Sequence, residues 1–352
     1  MKFLFIIQGE GKGHLTQAIS LSKILKKHHH EVEEVFMGKS PQRDIPSWAE
    51  QEIGFRISYF NSPNFKRRKD KKGIRIFYSC IYNFFRTPLY IYSIFYLISQ
   101  IRKSESDVVI NFYDLIGGLA CCFLQKSKKV ITVSHQHFFQ HPVFEWPKKY
   151  NLQKFLLILH SRLTSLAANR VIALSFTEEM DLPEKKLYII PPLIETDFIT
   201  ARLEKSYIFI YLLNEGFIEE INTLAHDHSD KKFIIFSDND EIKTPSNVIL
   251  NIPERKKFLS YLPNAKAVIS TSGFETLSET FYFHKPLHPI PSLGHYEQLC
   301  NAVDAKRAGL INDYGNLNSK RLFTLADENA MKSYKSWIDK SEERIMEVLH
   351  SL

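Results

Sequence analysis

Short apolar runs alternate along the chain with longer stretches in which apolar residues recur every three or four positions. Residues 3–7, 32–36, 57–60, 108–112, 130–133 and 171–174 read as strands, and residues 15–27, 115–124 and 152–168 as helices between them. The strand runs are continuously apolar. Such strands are buried on both faces, which points to a parallel sheet covered by helices on each side. The pattern restarts after Ile189-Ile190-Pro191-Pro192 with strands at 208–213, 233–236, 248–252, 267–271 and 287–290, and two helices follow at the end. The expectation is an α/β protein of two doubly wound halves, residues 1–192 and 193–352, the last helix free to pack back on the first half. Sheets of this kind bind ligands beyond the carboxyl ends of their strands, so two facing halves place the best cleft between them.

One segment, residues 62–103, breaks the alternation. Lys66–Arg75 carries seven basic residues against one acid, Asp70, and residues 77–96 carry nine aromatics. Pro88 is expected to divide this part into two helices. Cations beside Tyr and Phe suit the headgroup layer of an anionic membrane. The alternative is a core-facing aromatic helix pair behind a solvated basic loop. Nucleic acid is not expected, since no RNA-binding motif accompanies the aromatics.

Composition narrows the compartment. Among the 352 residues, 44% are hydrophobic, enough for one core per half, and the formal net charge of +7 favours an acidic partner. Cys80, Cys121, Cys122 and Cys300 form no CxxC pair and no metal-ligand spacing. Structural disulfides are not expected, and the reading is cytoplasmic. The apolar start, Met-Lys-Phe-Leu-Phe-Ile-Ile, stops at Gln8 and enters a glycine-rich loop, so it reads as a buried first strand. No apolar stretch reaches the length of a membrane span.

Two loops carry candidate chemistry. The first is Gly9-Glu10-Gly11-Lys12-Gly13-His14-Leu15-Thr16-Gln17, between a strand and a helix. Its glycines permit close approach of a ligand, and the helix start offers free N–H groups and a positive dipole end. The spacing is GxGxG, not GxGxxG, so a nicotinamide role is not expected. The second is Ser272-Gly273-Phe274-Glu275-Thr276-Leu277-Ser278-Glu279, again strand into helix and a natural diphosphate seat. Glu279, one turn into that helix, is placed to accept two hydrogen bonds from vicinal ribose hydroxyls. Lys285-Pro286 follows, then Gly294-His295-Tyr296-Glu297-Gln298 with Asn301-Ala302. Glu297 and Gln298 offer partners for sugar hydroxyls.

The run from Gly273 to Glu279, then Lys285-Pro286, Glu297-Gln298 and Asn301-Ala302, resembles the donor-site motif of GT-B glycosyltransferases. The comparison is with the peptidoglycan lipid-intermediate N-acetylglucosaminyltransferase and UDP-glycosyltransferase families. The opening Gly-Glu-Gly-Lys-Gly-His also resembles that of a group of bacterial and archaeal proteins in that superfamily. The resemblance is sharp over residues 3–25 and 265–310. It implies a GT-B fold, an N-terminal acceptor half, and a C-terminal half that binds a nucleotide-sugar donor, a UDP-sugar first. Carried over by position, it implies that Ser272, Gly273 and Thr276 cradle the diphosphate, with Gly11, Gly13 and Phe274 also binding the donor. Glu279 would hold the ribose, Glu297 and Gln298 the donor sugar, and backbone near 252–255 the base. His14 aligns with the loop histidine that acts as base in plant-type UDP-glycosyltransferases. Two departures stand out. The turn after the first C-terminal strand has one glycine, in Asn214-Glu215-Gly216, and Thr271 stands where relatives often carry a cation.

The expected activity is an inverting, metal-independent transfer to an acceptor hydroxyl, with a lipid-linked or cell-envelope glycan as the acceptor. His14 is the first choice of base and Glu10 the second. Asp114, His135 and His137 follow N-terminal strands and are further candidates. The Asp-x-Asp within Ser237-Asp238-Asn239-Asp240 reads as an ordinary turn, and no cofactor is expected. A non-catalytic nucleotide-sugar-binding accessory protein on the same fold is the alternative. A sugar-nucleotide epimerase ranks third, for want of an arginine-rich first loop.

Overall fold

The computed structural model describes residues 1–9, 12–41, 49–70, 72–124, 128–195, 207–212, 215–237, 243–252, 254–315, 317 and 324–352. Expectations for Glu10, Gly11, Asn214, Asp238, Asn239, Asp240 and the junction beyond residue 195 lie outside them.

The first half runs β1 (Lys2–Ile7), α1 (Gly13–Lys27), β2 (Glu31–Lys39), α2 (Ala49–Ile53) and β3 (Ile57–Asn61). It continues through α3 (Ile76–Phe85), α4 (Thr87–Lys103), β4 (Val108–Phe112), α5 (Leu115–Cys121), β5 (Lys129–Ser134), α6 (Asn151–Ser165), β6 (Arg170–Leu174) and β7 (Leu187–Ile190). The second half runs β8 (Tyr207–Tyr211), α7 (Ile218–Asp227), β9 (Lys232–Phe236), β10 (Val248–Asn251), α8 (Arg255–Tyr261), β11 (Ala267–Thr271), α9 (Phe274–Tyr282), β12 (Leu287–Ile290) and α10 (Tyr296–Arg307). Two helices close the chain, α11 (Glu328–Asp339) and α12 (Ser341–His350).

Among the described residues the strands form two parallel sheets, ordered β3-β2-β1-β4-β5-β6-β7 and β10-β9-β8-β11-β12. The continuous apolar runs account for this. Every residue of β4 and of β11 is buried, so each strand needs helices on both faces. In each sheet the order reverses beside the first strand, between β1 and β4 and between β8 and β11. Those switch points open the crevices in which such sheets hold ligands.

The structure adds one strand to the sequence reading. β7 has four residues and runs directly into Pro191-Pro192, and the sequence reading assigned no strand there, yet it pairs in register with β6. The run after β5, His135–Gln140, is a 3-10 turn of mostly buried residues rather than loop. Pro88 lies in the first turn of α4, where its missing N–H costs nothing, and the segment divides there into α3 and α4 as expected.

The two C-terminal helices tie the halves together. The Tyr334 hydroxyl of α11 donates to the carbonyl of Ser278 on α9, 2.9 Å away. On the same helix Trp337 donates from Nε1 to the carbonyl of Ser175 in the first half, at 3.0 Å. Arg344 of α12 reaches Asp181 at 2.9 Å, and Lys340 reaches Glu178 at 2.7 Å. Trp337 is 3% exposed, so Trp337→Ala is expected to destabilise the chain by about 3–5 kcal/mol, read from the shift in a denaturant midpoint.

Candidate active site at the meeting of two helix starts

The switch-point crevices of the two sheets open onto one cavity of about 460 Å³, lined from both halves. The first half contributes the start of α1 and the turn directly after β4. The loop from β1 into α1 needs glycine at its beginning: a Cβ on Gly9 would stand 1.6 Å from the carbonyl oxygen of Gly38. That close approach folds the loop back against β2. Gly13 opens α1, and a Cβ there would stand 3.3 Å from Cγ of Glu275, across the cleft. The starts of α1 and α9 therefore face each other.

The α9 start is built for an anion. Gly273 precedes it in extended geometry, no side chain caps the helix, and the space beside Gly273 is open. The amides of its first turn have no partner within the helix, and the positive dipole end lies there too. Gly273, Phe274, Glu275, Thr276 and Glu279 all line the cavity. Ser272, expected in this cradle, lies beneath it. It is fully buried and outside the lining, and its carbonyl accepts from Asn301 Nδ2 at 2.9 Å, which pins the end of β11.

Glu279 is 1% exposed, and its Oε1 lies 2.6 Å from Nη2 of Arg255. Nε of Arg255 lies 3.5 Å from Glu195. Arg255 thus brings a cation to the cavity from α8, although β11 ends in Thr271 with none. Glu297 and Gln298 line the far wall. Oε1 of Gln298 accepts the amide of Ser292 at 2.8 Å, which fixes the loop before α10.

His14 is buried, lines the cavity and stacks on Tyr113, with ring centroids 5.8 Å apart. Burial pushes its pKa down to about 4, so the ring is neutral at pH 7. A neutral imidazole has one N–H and one lone pair, and the neighbours say which is which. Gln17 donates from Nε2 to Oε1 of Glu275 at 2.7 Å, so its carbonyl oxygen is the end turned to His14. That oxygen stands 3.3 Å from His14 Nδ1. Nδ1 therefore carries the proton, and Nε2 keeps the lone pair. Tyr113, directly after β4, has φ 61°, a left-handed backbone in a bulky residue. Such strain costs on the order of 1–3 kcal/mol and gathers at functional sites. Here it turns the ring between His14 and His160, whose centroid is 4.7 Å from that of Tyr113.

The other N-terminal candidates divide. Asp114 is fully buried outside the lining; it caps α5 through the Gly117 amide at 2.8 Å and accepts from the Ser62 hydroxyl at 2.6 Å. His137 is buried against Thr132 at 2.9 Å. His135 reaches the cavity, but its Nδ1 donates to the Leu174 carbonyl at 2.7 Å and its ring stacks on Phe274, 3.9 Å between centroids. It is packing at the cleft floor. The side chains of Gln17, Tyr113, His160, Arg255 and Glu275 received no role from the sequence. Only the i, i+3 spacing of His14 and Gln17 on one helix signalled any of them.

The basic aromatic segment has two faces. Ile74 donates its amide to the Leu293 carbonyl at 3.0 Å, and the Leu293 amide returns to the Lys72 carbonyl at 3.1 Å. Phe65, Ile74, Ile76, Cys80 and Asn83 line the cavity. The outward face holds Phe77, Phe84 and Phe85 of α3, each more than 70% exposed, and Tyr92 and Phe95 of α4. α6 adds exposed Leu152 and Phe155 while its Leu156, Leu157 and Leu163 line the cavity. No described helix is long and apolar enough to cross a membrane. Among the described residues, no group of three or more His, Cys, Asp or Glu is placed to hold a metal.

A family model described as glycosyl transferase family 1 matches residues 1–326. No curated protein matches the sequence. Solved structures are similar over nearly the whole chain. The spinosyn forosaminyltransferase SpnP superposes with TM-score 0.64 at 12% identity, covering 100% of this chain and 98% of that one. A UDP-glucosyltransferase from Polygonum tinctorium gives 0.61 at 13%, covering 99% and 93%. A UDP-N-acetylglucosamine 2-epimerase gives 0.59 at 13%, covering 98% and 94%. The fold is GT-B, as the donor-loop resemblance implied.

Proposed function

The chain belongs to glycosyl transferase family 1, and from that premise we propose that it transfers a sugar from a nucleoside-diphosphate donor, a UDP-sugar first, to a hydroxyl of a lipid-linked acceptor. The observation that carries the reading is the uncapped start of α9, open to the cavity between the halves, with Glu279 and Arg255 beside it. The diphosphate would lie against the amides of residues 274–276, with the ribose at Glu279 and the sugar toward Glu297 and Gln298. An epimerase shares the fold. A buried loop histidine with its lone pair free on Nε2 suits proton removal from an attacking hydroxyl.

In the proposed step the acceptor oxygen attacks the anomeric carbon as its proton passes to Nε2 of His14. The bond from that carbon to the diphosphate breaks, and the electron pair leaves with the phosphate. A single displacement of this kind inverts the anomeric centre. Negative charge growing on the leaving group is stabilised by the fixed amides, the α9 dipole and Arg255, a set that calls for no metal. A pKa of about 4 makes His14 a weak base in the empty site. A bound diphosphate raises it, since a nearby anion favours the imidazolium.

The acceptor side is apolar. Leu156, Leu157 and Leu163 of α6 with Ile74 and Ile76 of the insert form that wall, and the exposed aromatics of α3, α4 and α6 surround it. Arg75 lies 3.7 Å from the Tyr78 ring centre and Lys66 3.9 Å from that of Tyr82, a mixture suited to an anionic lipid interface. We read this surface as a membrane-docking face that brings the acceptor to the cavity.

Replacing His14 with Ala should lower transfer from a UDP-sugar by about 10²–10⁴-fold while UDP affinity, by calorimetry, changes by less than about threefold. Unaltered transfer would reject the base assignment, and an accessory protein would show binding without turnover in the wild type. Phe84→Glu with Phe85→Glu should abolish co-sedimentation with phosphatidylglycerol vesicles and leave UDP binding intact. Equal sedimentation of variant and wild type would reject the docking face.

A further inference from the structure

The α9 start offers amides to an anion, yet its first turn also carries a carboxyl group, Glu275, on the cavity wall. Glu275 is 7% exposed. Its Oε1 accepts from Gln17 at 2.7 Å, while its buried Oε2 has no hydrogen-bond partner. Glu275 lies close to the opposite helix start, where a Cβ added to Gly13 would stand 3.3 Å from its Cγ. An ionised carboxylate at this place would face the diphosphate as one anion against another. Arg255 does not neutralise it, because that guanidinium is engaged by Glu279 at 2.6 Å and by Glu195 at 3.5 Å.

Resting on the reading of this cavity as a donor site, we infer that Glu275 works as a neutral carboxylic acid whose Oε2–H donates to an anionic oxygen of the nucleoside diphosphate. One oxygen then accepts from Gln17 and the other donates to the ligand, and the unpartnered atom gains a partner. The same carboxyl holds Gln17 in the orientation that leaves Nε2 of His14 free. Glu275 is thus a positioning residue for the base and a contact for the donor.

Ionisation should therefore govern donor affinity. Burial raises the Glu275 pKa to about 8, from an ordinary 4.5. The groups around it act in both directions, and burial is the largest influence. From α1, His14 is uncharged at pH 7 and Lys12 lines the same cavity. Glu279 on its own helix raises the pKa, and Arg255 of α8 lowers it by less than burial raises it. Tyr334 of α11 stays a neutral phenol, its own pKa pushed well up by burial. The acid is the competent form, so affinity is retained below pH 8 and lost above it.

The test is UDP binding by calorimetry from pH 7 to pH 9, for the wild type and Glu275→Gln. Gln supplies the same pair, an oxygen for Gln17 and an N–H for the phosphate, but it does not titrate. The wild-type Kd should rise about tenfold between pH 7 and pH 9, while that of the variant changes by less than about twofold. The variant also records any titration of UDP itself. A flat wild-type profile would overturn the proposal even if the variant failed to fold. So would a matching loss of affinity in both proteins, with the donor reading intact. No UDP binding by either protein at any of these pH values would overturn the donor reading, and the role of Glu275 with it.

Discussion

Two helix starts meeting across a cleft are the constraint on which the site depends. Each sheet reverses its strand order beside its first strand, and each reversal delivers an uncapped helix start to one cavity. Helix starts carry partial positive charge and unpaired amides, so bringing two together without an anion leaves favourable interactions unmade. The carboxyls of Glu275 and Glu279 sit beside these helix starts, one linked to Gln17 and the other to Arg255. The cross-cleft contact from Gln17 to Glu275 fixes the spacing of the halves at the point of chemistry. It also settles the tautomer of His14. Fold, electrostatics and base orientation share one short chain of hydrogen bonds.

The insert joins this centre to the surface. Its strap from Lys72 to Ile74 hydrogen-bonds with Leu293, in the loop before α10, the helix that carries Glu297 and Gln298. Its helices line the cavity with one face and present Phe77, Phe84 and Phe85 outward with the other. The sequence set a membrane-facing segment against a core-facing one. One side of α3 borders a cavity rather than a core, and the other leaves its aromatics exposed.

Much of the fold was legible because its strands are buried on both faces. Residues 3–7 and 108–112 read as continuous apolar runs for that reason, and both are strands with every core position covered. β7 was not legible, since four residues ending at a proline pair carry too short a pattern. The donor loop was legible as strand, small polar turn and helix. The roles of Gln17, Arg255 and Glu275 were not. Gln17 and Glu275 are 258 residues apart, and no local period links them. Arg255 supplies from α8 the cation that Thr271 does not, a substitution visible only when two elements are placed side by side. Ser272 read as part of the cradle, but it is fully buried outside the cavity lining. Asp114 and His137 followed strands as catalytic residues often do; one caps a helix and the other packs on Thr132.

The most direct measurement is a crystal structure of the chain with UDP bound. The account predicts the diphosphate within hydrogen-bond distance of the amides at the α9 start and the ribose hydroxyls on the Glu279 carboxylate. A diphosphate seated elsewhere, with the start of α9 unoccupied or Glu279 turned from the nucleotide, would contradict it.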